Sequence, residues 1–230
     1  EEMVALAESN PDLLGRTIGF WDPFNLIAEG DFWGLGNEAT IGYLRHAEIK
    51  HGRIAMAGFL GFFVQSPGNF IGDIVSGDHA ILPYRGYVAG CTPQEQWDNI
   101  PVVGKLQILI AIGMLESYGE GAAAGPEYTH YMRGGLPGAY PSFKKYLNGV
   151  FPHPVPLDLY DPFGIFSNAS PEKKARGRLI EINNGRLAMI GLFGFLSESK
   201  VPGSVPALGS IVLPYDGDYM APLEPLHFLN

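Results

Sequence analysis

Apolar residues along this chain gather into three stretches, each bounded by polar start and stop signals. The longest run free of charge is 54–72, with 19 residues, and shorter runs occupy 106–115 and 187–197. A membrane-spanning helix needs about 20 mostly apolar residues. By run length alone, the chain reads as one span and two buried helices of a soluble protein.

The helix signals predict more. Ser170-Pro171-Glu172 combines a capping Ser, a first-position Pro and an acid in the first turn, and nothing breaks the pattern until Pro202-Gly203. Thirty residues at 1.5 Å each give roughly 45 Å, enough to cross the hydrocarbon core and headgroups with tilt. Asn37 is a cap for the first helix, and Ser66-Pro67-Gly68 stops it. A third helix runs from Pro101 to Tyr118, with Lys105 and Glu116 its only charges. The expectation is an all-α membrane protein forming one domain over 1–230, with helices at about 38–66, 101–118 and 171–200.

Loop charge supplies an orientation. Segment 66–100 holds one basic residue, Arg85, whereas 119–180 holds seven: Arg133, Lys144, Lys145, Lys173, Lys174, Arg176 and Arg178. The N-terminal part adds Arg16, Arg45 and Lys50. The positive-inside rule puts the starts of the two long helices on the side from which the protein inserts, with the C-terminal tail opposite.

Composition agrees with a membrane setting. The chain is 46% hydrophobic and 17% charged, against roughly 25% charged in ordinary soluble domains. Its net charge of −9, with no long basic cluster, argues against nucleic acid as a partner. The single Cys91 allows neither an intrachain disulfide nor a cysteine-built metal site.

The two long helices share a repeat. Residues 48–63 read EIKHGRIAMAGFLGFF and 181–196 read EINNGRLAMIGLFGFL, identical at nine of sixteen positions. Each copy sets a Glu and an Arg five residues apart, Glu48 with Arg53 and Glu181 with Arg186. Five helical steps turn roughly 500°, a net of about 140°, so pairing within one helix is poor. If the helices cross as a pseudo-twofold pair, Glu48 meets Arg186 and Glu181 meets Arg53. An unpaired charge at such depth costs about 2.5–3.5 kcal/mol by insertion scales. Gly52, Ala55, Gly185 and Ala188 would permit close approach at the crossing.

Steps of three and four along one face give Glu48, His51, Ala55, Gly58, Phe62 and Gln65; the second copy gives Glu181, Asn184, Ala188, Gly191, Phe195 and Glu198. Oxygen and imidazole donors suit a hard or borderline cation such as Mg²⁺. One donor per turn cannot build an all-protein cage. It fits metals that need a single axial ligand, the rest coming from a flat macrocycle for which the small residues leave room. The same stripe also reads as ordinary helix packing around a structural charge lock, and the residues leave both readings open.

At these positions the chain resembles the light-harvesting chlorophyll-protein superfamily of chloroplast thylakoids. The motif E-x-x-H/N-G-R-x-A-M occurs twice, preceded by Phe20-Trp21-Asp22-Pro23-Phe24 and by Tyr160-Asp161-Pro162-Phe163. The resemblance covers most of 19–203. It implies three spans, two long helices crossing and a shorter middle one. It also implies Glu48, His51, Glu181 and Asn184 as ligands to chlorophyll magnesium, with Arg53 and Arg186 in interhelical ion pairs. Gln65 lies where such proteins place a Gln ligand. Glu198 occupies the matching position of the last helix, a departure from Gln, and Gln107 and Glu116 resemble the middle-helix ligands. The two Asp-Pro-Phe segments resemble stretches that hold carotenoid head groups. His46, His79, His130, His153 and His227 read as surface or interfacial residues.

The tract Glu198–Leu208, ESKVPGSVPAL, resembles antenna proteins of dinoflagellates and other red-plastid algae. This implies chlorophyll a, chlorophyll c and carotenoids of the peridinin or fucoxanthin type with diadinoxanthin. The expected protein is a non-enzymatic, multi-pass thylakoid antenna subunit, N-terminus stromal and C-terminus lumenal. It would pass excitation to a photosystem core (I or II), among neighbouring antenna subunits and thylakoid lipids. A photoprotective quencher of the same superfamily and a small repeat-built transporter are the rival readings. Transporter sites favour broken helices near the midplane, and both copies lack an internal Pro.

Overall fold

A computed structural model describes residues 21–26, 31, 34–68, 70–76, 86–122, 124–147, 153, 157–166 and 168–223. Arg16, Phe20, His79, Arg85 and His227 lie outside the described residues.

The described residues form helices and turns, with no strand among them. In chain order the α-helices are α1 (Asn37–Gln65), α2 (Phe70–Ser76), α3 (Pro93–Asn99), α4 (Val102–Gly119), α5 (Phe143–Leu147) and α6 (Pro171–Lys200). Short 3₁₀ turns occupy Tyr131–Arg133 and Pro206–Leu208. The three long helices fall within one residue of the bounds read from the sequence, because their ends are set locally. Ahead of α1, Gly36 takes φ +89° and donates its N–H to Asp31 Oδ1 at 2.7 Å. The helix closes where Ser66 Oγ donates back to the Phe62 carbonyl at 2.7 Å, before Pro67 and Gly68. Helix α6 opens with Ser170 Oγ accepting from Lys173 N at 3.3 Å and stops before Pro202-Gly203, where Gly203 takes φ +87°. Helix α3 carries a full capping box between Thr92 and Glu95.

Among the described residues, α4 and α6 are long and apolar enough to cross a membrane. Helix α1, with 29 residues, is as long but interrupts its apolar positions with Arg45, Glu48, Lys50 and Arg53. Helix α4 leaves Val103, Ile110, Ile112 and Met114 more than half exposed, and α6 does the same with Leu187, Ile190 and Phe193. Large apolar side chains at such exposure belong against lipid or a bound apolar partner.

The chain divides into two compact units. The first takes in 1–53 and 114–186, the second 54–113 and 187–230. In the first unit, α1 and α6 meet backbone to backbone at Gly52 and Gly185. A Cβ added at Gly185 would lie 2.8 Å from Gly52 Cα, and one at Gly52 would lie 3.0 Å from Gly185 Cα. Residues 124–142 pack on α1 and α4. His46 is buried and stacks on Tyr131 at 3.8 Å, and Tyr118 OH donates to the Ser142 carbonyl at 2.9 Å.

In the second unit, Phe195 stacks on Phe59 and Phe62 at 4.8 and 4.9 Å. The C-terminal tail is held by hydrogen bonds to α3 and α6. Tyr215 OH donates to Asp98 Oδ2 at 2.9 Å, its N–H to the Ser199 carbonyl at 2.8 Å, and Trp97 Nε1–H to the Pro222 carbonyl at 2.5 Å. Burial, and then the bond to Asp98, push the Tyr215 hydroxyl up to about 12.

Candidate functional site

The structure brings each repeated carboxylate to the other copy's arginine. Arg186 Nε donates to Glu48 Oε1 at 2.6 Å, and Arg53 Nε donates to Glu181 Oε1 at 2.5 Å. The contact at Gly52 and Gly185 makes this possible, since a side chain at either position would hold the helices apart. All four side chains are between 30% and 38% exposed, so each pair is partly desolvated and still open on one side.

The two pairs have different surroundings. Arg53 also donates from Nη1 to the Gly138 carbonyl at 2.7 Å, and Gly138 N–H donates to His46 Nδ1 at 3.1 Å. Segment 120–142 is thereby pinned to α1 on the Arg53 side. Gly138 fits there because its φ is +77° and an added Cβ would lie 2.8 Å from Ile49 Cγ2.

The neutral candidates are exposed: His51, Gln65, Gln107 and Asn184. His51 Nδ1 sits 2.7 Å from the Ala47 carbonyl. A carbonyl only accepts, so Nδ1 carries the proton and Nε2 keeps its lone pair. This is the orientation a metal-ligating His takes from its second hydrogen bond. Gln65 Nε2 donates to the Gly61 carbonyl at 3.0 Å, which leaves the amide oxygen as donor to a metal.

The two remaining carboxylates differ from each other. Glu116 on α4 is half exposed and accepts from Lys50 Nζ at 2.6 Å. Glu198 is 3% exposed, and its oxygens accept from Gly203 N at 2.8 Å and Val205 N at 2.7 Å. It ties the chain just past α6 back onto the helix, and of the eight candidates it is the least available to an incoming metal. Among the described residues no group of three or more His, Cys, Asp or Glu side chains lies together. The candidates stand singly along their helices.

Beyond α4, Glu120 accepts from His130 Nε2 at 2.8 Å and from Tyr131 OH at 3.0 Å. Burial alone would raise its carboxyl. The bonds from His130 and Tyr131 outweigh that and hold it below the usual range. Burial and the same bond push the Tyr131 hydroxyl up. Sequence reasoning missed Lys50, Gly138 and this Glu120 cluster. Their partners are 66, 85 or 92 residues away in several cases, and no spacing rule reaches that far. The two Asp-Pro-Phe turns share their hydrogen bonds, although Asp161 takes φ +50° and Asp22 does not take a positive φ. Asn25 N and Gly164 N return to the Asp22 and Asp161 carbonyls, and Leu26 N and Ile165 N reach the same Asp carboxylates. Each turn leaves its Phe, Phe24 or Phe163, 79% exposed.

Comparison with known proteins gives a consistent result. Residues 7–200 match the family model described as Chlorophyll A-B binding protein. The chain is 31% identical over 195 residues to "Fucoxanthin-chlorophyll a-c binding protein, chloroplastic" of Trieres chinensis, covering 84% of this chain and 80% of that protein. It is 30% identical over 187 residues to "Fucoxanthin-chlorophyll a-c binding protein B, chloroplastic" of Phaeodactylum tricornutum, covering 80% and 75%. It is 28% identical over 187 residues to protein E of the same description from Macrocystis pyrifera, covering 80% and 70%.

Proposed function

Because this chain belongs to the chlorophyll A-B binding protein family, we propose that it is a light-harvesting antenna subunit of the thylakoid membrane. It binds chlorophyll a, chlorophyll c and a fucoxanthin-type carotenoid, as its relatives' names say of them, and passes excitation to a photosystem core. The pigments supply the photophysics, and the protein supplies ligands, spacing and local polarity.

In this reading 1–230 is one antenna domain. Helices α1, α4 and α6 span the bilayer, the two long ones crossing as a pseudo-twofold pair. The N-terminus is stromal and the C-terminus lumenal, as the loop charges suggest. Glu48, His51, Gln65, Gln107, Glu116, Glu181 and Asn184 would each hold one chlorophyll through its magnesium. Glu198 is left out of that set, its oxygens being engaged by Gly203 and Val205. At Glu48 and Glu181 the arginine occupies Oε1 and leaves Oε2 for the metal.

One observation carries the reading. Two carboxylates on apolar helices are each neutralised by the other helix's arginine and remain about a third exposed, so each can coordinate a neutral macrocycle without leaving net charge in the membrane. The chain purified from thylakoids should absorb as chlorophylls a and c with a red-shifted carotenoid, and solvent extraction should return those pigments. A colourless protein, or one returning chlorophyll b in place of chlorophyll c, would overturn the proposal.

A further inference from the structure

Of the eight side chains with ligand chemistry, four are carboxylates, and three of those have a cation at 2.5–2.6 Å: Arg186 on Glu48, Arg53 on Glu181 and Lys50 on Glu116. The fourth, Glu198, faces backbone N–H groups. The neutral candidates His51 and Gln65 bond to carbonyls of their own helix. The pattern follows charge. A neutral amide or imidazole on a macrocycle's metal adds no charge to an apolar surface, whereas a carboxylate adds one and requires a cation beside it.

We propose that Lys50, supplied by α1, is the charge-compensating and positioning residue of the pigment site at Glu116 on α4. The inference rests on the reading of Glu116 as a chlorophyll ligand. Lys50 also reaches Glu120, at 3.5 Å. That carboxylate is already held by His130 and Tyr131, however, so the short bond and most of the lysine's charge go to Glu116. Lys50 Nζ takes Oε2 of Glu116, which leaves Oε1 as the second oxygen of a half-exposed side chain. The lysine therefore fixes which oxygen is presented to the metal as well as removing the charge.

The test refolds the full chain with its extracted pigments in detergent and counts chlorophylls per polypeptide. Lys50→Met should lose one chlorophyll, with the same difference absorption spectrum as Glu116→Leu. Lys50→Arg, which keeps the charge, should restore the pigment, and Glu116→Gln alone should keep it. Lys50→Met/Glu116→Gln should also keep it, because an amide needs no cation. A full complement in Lys50→Met overturns the inference. So does a double variant that still lacks the pigment, since the lysine would then act only by bracing segment 120–131. If Lys50→Met does not refold, the double variant decides by the same criterion. A full complement in Glu116→Leu removes the ligand reading of Glu116, and this inference with it, while leaving the other sites standing.

Discussion

Exchanging Gly185 for alanine places a methyl carbon 2.8 Å from Gly52 Cα, with further contacts at 3.3 Å to its carbonyl carbon and 3.6 Å to its oxygen. Relaxed carbon contacts lie at about 3.5–4.0 Å, so the two backbones must separate by roughly 0.7–1.2 Å. The obstacle is backbone, which cannot rotate away. Overpacking of this kind costs about 1–3 kcal/mol, and rigid opposition puts Gly185→Ala at the upper end. Alanine returns about 1 kcal/mol through helix propensity, leaving a net loss of about 2 kcal/mol. The separation also lengthens the ion pairs on either side, which are 2.5 and 2.6 Å long.

Gly177, on the same helix, supplies the control. An added Cβ there has no atom within 4 Å, so Gly177→Ala should stabilise by about 0.5–1 kcal/mol through propensity alone. Thermal melting of refolded pigment complexes, followed by visible circular dichroism, reads both effects. The two substitutions should shift the midpoint in opposite directions. A Gly185→Ala complex that melts at or above the parent temperature with its full pigment content would refute the reasoning.

Arg186→Leu leaves Glu48 unpaired. The penalty has an upper bound of about 2.5–3.5 kcal/mol, reduced because the pair is about a third exposed, and Glu48→Gln in the same chain should recover most of the lost stability and pigment; thermal melts and pigment counts of the single and double variants check this. Glu198→Ala should lower the melting temperature without removing a chlorophyll, because its oxygens serve Gly203 and Val205; a missing chlorophyll in the extracted pigments would instead restore Glu198 to the ligand set. Glu120 has a folded-state value below its ordinary 4.5. It therefore contributes stability that is fully present above that value and lost as pH falls through the folded one. Melting profiles of Glu120→Gln should accordingly be flatter than the parent's from about pH 5 downward, and identical slopes would remove Glu120 as a contributor.

Much of the architecture was legible because it is written in short-range signals. Caps and breakers lie within a few residues of the ends they make, so α1, α4 and α6 could be bounded to within a residue. The duplicated Glu and Arg allowed one further step. Five-residue spacing rules out pairing within a helix, and the repeat offers the alternative partner, so Glu48–Arg186 and Glu181–Arg53 could be reasoned out before any coordinates. The matching Asp-Pro-Phe segments likewise fold alike because the turn is local to each.

Tertiary structure decided what depends on contacts between distant segments. Nothing in the spacing of Lys50 and Glu116 announces a bond across 66 residues, and a lysine in a helix otherwise reads as a solvated charge. Gly138 became an anchor only when segment 120–142 was laid against α1. Glu198 shows the opposite effect. Its position in the repeat suggests a ligand, yet the chain beyond Lys200 turns back and offers two backbone N–H groups that take its oxygens. Periodicity and caps act over one or two helical turns, so sequence carries them in full. The partner of a charge depends on which segments meet: for Lys50 that was settled by α1 meeting α4, and for Gly138 and Glu198 by the packing of loops, which no periodic pattern encodes.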